Sequence, residues 1–327
     1  MNHFQRYLTE EFAEDYQEGR LSRRDALKLI ASVTGSLVVA NSILAACIPT
    51  SEATPTESPT ENISATGTPS TPIEATTTES SPSPSPSAGS GTVMPDDPAV
   101  IASEVEFPAD DATTLLGYLA RPSTGDNAPV VLVCHENRGL TPHIQDVTRR
   151  LVKAGYVGLA VDLLSRQGGT ATVGDANVPG VLGNIDPDQF VADFLAGWRY
   201  LQGQSFARAD RVGMVGFCFG GGVTWRVATQ MPELLVAVPF YGPHPPLKDV
   251  PNIQAAVLAI YGELDGRINA GIPDIEKAML ANNKIFKKLI YPNADHAFHN
   301  DTSSRYNAEA ARDAWAQTLA WFEQYLR

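Results

Sequence analysis

Three cysteines in 327 residues are too few for a disulfide-built scaffold. A hydrophobic core must carry the fold, and 43% of the residues are apolar. Positive charge is also scarce: 24 Lys and Arg against 37 Asp and Glu leave a net charge of −13. That balance argues against nucleic acid as a partner. No Cys/His cluster has metal-ligand spacing, and no G-x-G-x-x-G follows a strand pattern, so no metal and no cofactor is implied. No segment repeats at a fixed period. A long apolar run occurs once, from Leu27 to Ala46, and Ser32, Thr34, Ser36, Asn41 and Ser42 interrupt it. Such a run is a poor bilayer-spanning helix.

What is present divides the chain into three. Residues 1–47 have the make-up of an export signal. "SRRDALK", with Arg23 and Arg24, resembles a twin-arginine motif, although Ala26 stands where a large apolar residue is usual. "LAAC", Leu44 to Cys47, resembles a bacterial lipobox, in which the chain is cut before the cysteine and its thiol is lipidated. The expectation is an exported protein held by a lipid on Cys47 to the outer face of the bacterial cytoplasmic membrane. An uncleaved anchor is the alternative. Residues 48–98 are Ser, Thr, Pro, Glu and Ala with almost no core-forming side chains, which predicts a disordered tether.

Residues 99–327 alternate strand and helix patterns. "APVVLVCHE", "VGLAVDLL", "RVGMVGF", "LLVAVPFYG", "AAVLAIYGELD" and "FKKLIYP" are short apolar runs. Between and after them, "IQDVTRRLVKAGY", "DQFVADFLAGWRYLQGQ", "IPDIEKAMLANN" and "AEAARDAWAQTLAWFEQYL" carry helical spacing. This order predicts one α/β domain, a mostly parallel sheet with helices on both faces. "VEFPADDATTLLGYLARP" adds an antiparallel edge hairpin. In such sheets, sites form where strands end.

One strand runs into Gly216-Phe217-Cys218-Phe219-Gly220, the G-x-S-x-G elbow with Cys for Ser. By itself the pentapeptide also fits a small buried thiol. Asp265 and His296 follow two later strands, giving the order nucleophile, acid, histidine. Glu263 and His299 are competing choices, and Asp265 also suits a tight "DG" turn. Cys134 shares strand parity with Glu136, so it is either a buried strand residue or a second thiol facing the site. A Cys134–Cys218 disulfide would then inactivate an exported enzyme.

Together "VCHENRGL", "DLLSRQGG", "GFCFGG", "GELDGRI" and "NADHAFHN" resemble the dienelactone hydrolase family of the α/β-hydrolase superfamily. The resemblance covers about residues 100–327. It implies a carboxylic ester hydrolase acting on a small ester or lactone, with Cys218 as nucleophile, His296 as base and Asp265 as its orienter. It implies that Glu136 lies by the resting thiol, and that the backbone N–H groups of Asn137 and Phe219 form the oxyanion hole. Arg166 matches one of two substrate-binding arginines; the position of the other is Asn300, and Arg138 or Arg305 is a candidate replacement. A ligand-binding lipoprotein without catalysis, and an acyl-transferase or peptidase on the same fold, are the competing functions.

Overall fold

The computed structural model describes residues 1–47, 91–125 and 127–327. Most of the expected tether, residues 48–90, lies outside the described residues. Its last residues do not: the Val93 N–H donates to Asp146 and the Val93 carbonyl accepts from Arg149, so the chain is already pinned to the domain there.

Eight strands form one sheet. They are β1 (Val100–Pro108), β2 (Thr114–Pro122), β3 (Ala128–Cys134), β4 (Val157–Val161), β5 (Ala207–Phe217), β6 (Val236–Phe240), β7 (Ala256–Gly262) and β8 (Phe286–Tyr291), in the spatial order β1-β2-β4-β3-β5-β6-β7-β8. β1 and β2 make the expected antiparallel edge hairpin, β2 is antiparallel to β4, and every other pairing is parallel. The central strands read as unbroken apolar runs because helices cover both faces: Val130 to Cys134 and Val212 to Phe217 are all buried. This is the α/β-hydrolase architecture that the sequence pattern predicts.

Eleven α-helices are described: α1 (His3–Gln17), α2 (Arg23–Thr34), α3 (Leu37–Ala46), α4 (Pro142–Lys153), the short α5 (Thr170–Val173) and α6 (Val178–Asn184), α7 (Pro187–Gln202), α8 (Phe219–Gln230), α9 (Gly266–Asn269), α10 (Ile272–Ala281) and α11 (Ala308–Leu326). α8 starts one residue after Cys218, at the end of the central strand β5, so the elbow stands at the middle of the sheet's carboxyl edge.

The stretch that carries the export-signal features is folded onto this domain as α1–α3. Asn2 and Gln5 form a reciprocal capping box that starts α1. Phe4, Tyr7, Leu8 and Phe12 then recur at i, i+3, i+4 and i+8 and are all buried. α1 packs on α2, α6 and α8. α3 is different: Leu37, Val38 and Val39 are exposed, and only Ala40 and Leu44 are buried. No described helix is long and apolar enough to cross a membrane.

Candidate active site

The elbow places Cys218 by steric exclusion. Its φ of 59° and ψ of −121° put a side-chain-bearing residue in a strained backbone region. The turn is so tight that a Cβ on Gly216 would stand 2.2 Å from the Gly220 carbonyl oxygen, and one on Gly220 would stand 2.4 Å from that of His135. Only glycine fits at either position, which answers why the cysteine is flanked as it is. The Cys218 N–H donates to the Phe240 carbonyl at 3.1 Å, anchoring the elbow to β6. The Phe219 N–H heads α8, where the first amides have no intrahelical acceptor.

Two loops complete the group. Asp265 follows β7 and caps α9 by accepting from the Ile268 N–H at 3.3 Å. Its other oxygen lies 2.6 Å from Nδ1 of His296, which stands in the loop after β8. The carboxylate therefore fixes the tautomer that leaves Nε2 toward the thiol. A nitrogen of His296, Sγ of Cys218 and a carboxylate oxygen of Glu11 all lie within 4.8 Å of one another. Among the described residues, these three are the set of side chains close enough to share a metal ion. The structure thus brings Cys218, Asp265 and His296 together, each at most 3% exposed.

The competing candidates separate clearly. Glu263 is exposed and accepts from the Asn293 N–H at 2.9 Å. His299 is a core residue, with its ring 5.0 Å from that of Phe217 and 5.7 Å from that of Trp315, and its Nδ1 is buried without a partner. Burial, then the neighbouring His143, lowers its pKa to about 3. Cys134 is fully buried, and both it and Cys218 are free thiols.

Glu136 is buried beside the site, as expected, close enough to help raise the Cys218 thiol, and it accepts from the Asn300 side-chain amide at 2.6 Å. The carboxylate against the thiol is Glu11, whose oxygens lie 3.8 and 3.9 Å from Sγ. Arg166 is bound to Asp111, to Asp193 at 2.9 Å and to the Thr113 hydroxyl, so its guanidinium ties the β1–β2 turn to α7. Its partners come from a hairpin and a helix far away in sequence, which spacing alone does not reveal. Arg138 is exposed on its loop. Guanidiniums near the site include those of Arg305, the other candidate replacement, and of Arg267, which the sequence did not single out.

Sequence reasoning also missed Tyr7. Its hydroxyl lies 3.1 Å from Cys218 Sγ and 3.4 Å from His296 Nε2. Glu11, one turn on, accepts from the Asn137 side chain at 3.0 Å. The capping box and the apolar spacing of α1 were the available signals, and the export features on α2 and α3 masked them.

Electrostatics at the site pull in opposite directions. Burial, then Glu11, raises the Cys218 thiol, while His296 pulls it down. Burial disfavours the imidazolium of His296, but Asp265 and then Cys218 outweigh it and raise that pKa well above its ordinary value. Burial is the largest influence on Asp265 and raises it, but His296, Arg267 and the Ile268 N–H together outweigh it, so its pKa is depressed.

The chain resembles known proteins over most of its length. The family model "Dienelactone hydrolase family" matches residues 115–326, which leaves out α1–α3. A putative carboxymethylenebutenolidase of Methylorubrum extorquens is 35% identical over 253 residues, 73% of this chain and 87% of that protein. One from Escherichia coli K12 is 33% identical over 261 residues, 75% of this chain and 94% of the relative. The crystal structure of a putative dienelactone hydrolase from Klebsiella pneumoniae superposes with a TM-score of 0.65 at 32% identity, covering 69% of this chain and all of that one. The chain is an enzyme of the α/β-hydrolase fold and belongs to the dienelactone hydrolase family.

Proposed function

We propose that the protein hydrolyses a small ester or lactone through Cys218, His296 and Asp265. The observation that carries this reading is the 2.6 Å bond from Asp265 to His296 Nδ1, which turns the other ring nitrogen toward a thiol on a strained elbow. His296 takes the thiol proton, and Sγ attacks the acyl carbon. The developing oxyanion faces the backbone amides of Phe219 and Asn137, donors of the kind worth about 3–4 kcal/mol each. The C–O bond then breaks, and the alcohol leaves with the proton from His296. Water, deprotonated by the same nitrogen, cleaves the thioester and restores the thiol. An ester gives an acid and an alcohol; a lactone gives one hydroxy acid.

A panel of small esters and lactones, with and without a carboxylate, tests this against Cys218→Ala. Turnover of at least one class should depend on Cys218. Full activity in the variant would refute Cys218 as the nucleophile.

The protein is also proposed to be exported and lipid-anchored through Cys47 to the outer face of the cytoplasmic membrane. Three features support this. Arg23 and Arg24 are exposed at the start of α2, α3 exposes Leu37, Val38 and Val39, and Cys47 follows the last turn of α3. Cys47→Ser should release the protein from membranes or leave an unprocessed precursor; unchanged fractionation and mass would refute the anchor.

A further inference from the structure

The catalytic face of this enzyme is already occupied, by a segment of its own chain. The Tyr7 hydroxyl and the Glu11 carboxylate stand at 3.1 and 3.8 Å from Sγ. A substrate acyl carbon has to come within bonding distance of that sulfur, so it needs the space these two groups fill. Glu11 also takes the side-chain amide of Asn137, beside the expected oxyanion donor.

Further along α1, acidic side chains hold the cations around the site. Glu14 bonds Arg267 at 3.0 Å, and that guanidinium lies 4.7 Å above the Tyr7 ring. Asp15 lies 3.5 Å from Arg305. After the helix, Arg20 lies 3.7 Å from Asp295, the residue before His296. At the other end, the Phe4 ring packs against those of Phe190 and Phe219, which also touch each other. The contacts run from an apolar anchor, through a hydroxyl on the nucleophile, to carboxylates on arginines, as an acidic substrate would lie.

We propose that α1 is a displaceable, acidic pseudo-substrate that keeps Cys218 blocked until the chain is cut before Cys47. Blocking acts twice, since α1 excludes both the substrate and the water that would stabilise a thiolate, and Glu11 adds a negative charge beside the sulfur. The release step rests on the export reading above. A cut before Cys47 removes α1, α2 and α3 from the catalytic domain's chain, and the twin-arginine route, as that motif implies, would carry the precursor across already folded. The enzyme would then stay silent before export and become active after it. Arg267 and Arg305 are freed in the same event, so an anionic substrate gains more than a neutral one.

The test uses the full-length precursor with a specific protease site substituted between residues 60 and 80. Hydrolysis of p-nitrophenyl acetate and iodoacetamide labelling of Cys218 are measured before cleavage, after cleavage, and after separation of the N-terminal fragment by gel filtration. Separation should raise both rates by about tenfold or more, and adding back the fragment should reverse the rise. In the uncut precursor, the Glu14→Gln, Asp15→Asn double variant should raise the labelling rate without any cleavage. Rates that stay the same or fall after separation, with the circular dichroism unchanged, overturn the proposal. If separation unfolds the domain, the double variant decides: unchanged labelling overturns the proposal. Absence of Cys218-dependent turnover in every form refutes the hydrolase reading instead, and processing unaffected by Cys47→Ser refutes the export reading and with it the release step.

Discussion

Phe4→Ala tests how α1 is held. Phe4 is 1% exposed, its ring meets that of Phe190 edge-on at 5.5 Å and 89°, and it lies 4.8 Å from the ring of Phe219. Truncating a buried phenylalanine costs about 3–5 kcal/mol in lost burial and a residual cavity. Here that cost falls on the docking of α1, because the sheet and the helices around it keep their own packing. At about 1.4 kcal/mol per factor of ten, the open fraction should rise about 10²- to 4 × 10³-fold. Iodoacetamide labelling of Cys218 should accelerate by that factor when opening is faster than reaction. The main thermal transition should shift little, and Cys134, fully buried in β3, should stay unlabelled in the same experiment. Two results would refute the reasoning. Unchanged labelling means that Phe4 does not hold α1 in place. A fall in Tm with labelling that merely tracks global unfolding means that α1 is part of the cooperative core and does not leave by itself.

Other expectations follow from single contacts. Asp265→Asn keeps an acceptor for the Ile268 N–H but loses the carboxylate on His296; kcat/KM should drop by about 10³–10⁴-fold. A raised histidine pKa contributes stability that is full below 6.5 and lost as pH rises through the folded value, so the same variant should lower Tm more at pH 6 than at pH 9. His299 behaves oppositely: with a folded pKa of about 3, it stays neutral while the unfolded chain takes up a proton, so it destabilises the fold as pH falls from 6.5 toward 3. His299→Phe should remove about 2–3 kcal/mol of the stability lost between pH 6.5 and 4.5 in urea titrations, and an unchanged acid limb would show that the ring is not held neutral. Glu11→Gln removes the negative charge that raises the Cys218 thiol, so the pH profile of labelling should move to lower pH; a profile that stays put would mean that burial alone sets the thiol.

The sequence by itself determined the sheet, the elbow and the chemical group at its end. Strand runs such as Val130–Cys134 and Val212–Phe217 are apolar throughout because both faces are covered, and that pattern is local. Gly216 and Gly220 are legible for the same reason: a tight turn leaves its mark within five residues. The order of Cys218, Asp265 and His296 follows from strand order. The sequence favoured His296 over His299, three residues apart, but only packing gives the reason: one faces Asp265 and the other lies among Phe217, Phe240 and Trp315. The ion pairs of Arg166 were not legible, because its partners Asp111 and Asp193 are distant in sequence. Which carboxylate meets the thiol was also a tertiary matter. Glu11 and Cys218 are separated by 207 positions, and nothing local in either stretch points to the other. One sequence segment can carry an export signature and an amphipathic face together; the signature is read along the chain, while the face acquires meaning only from the surface it covers.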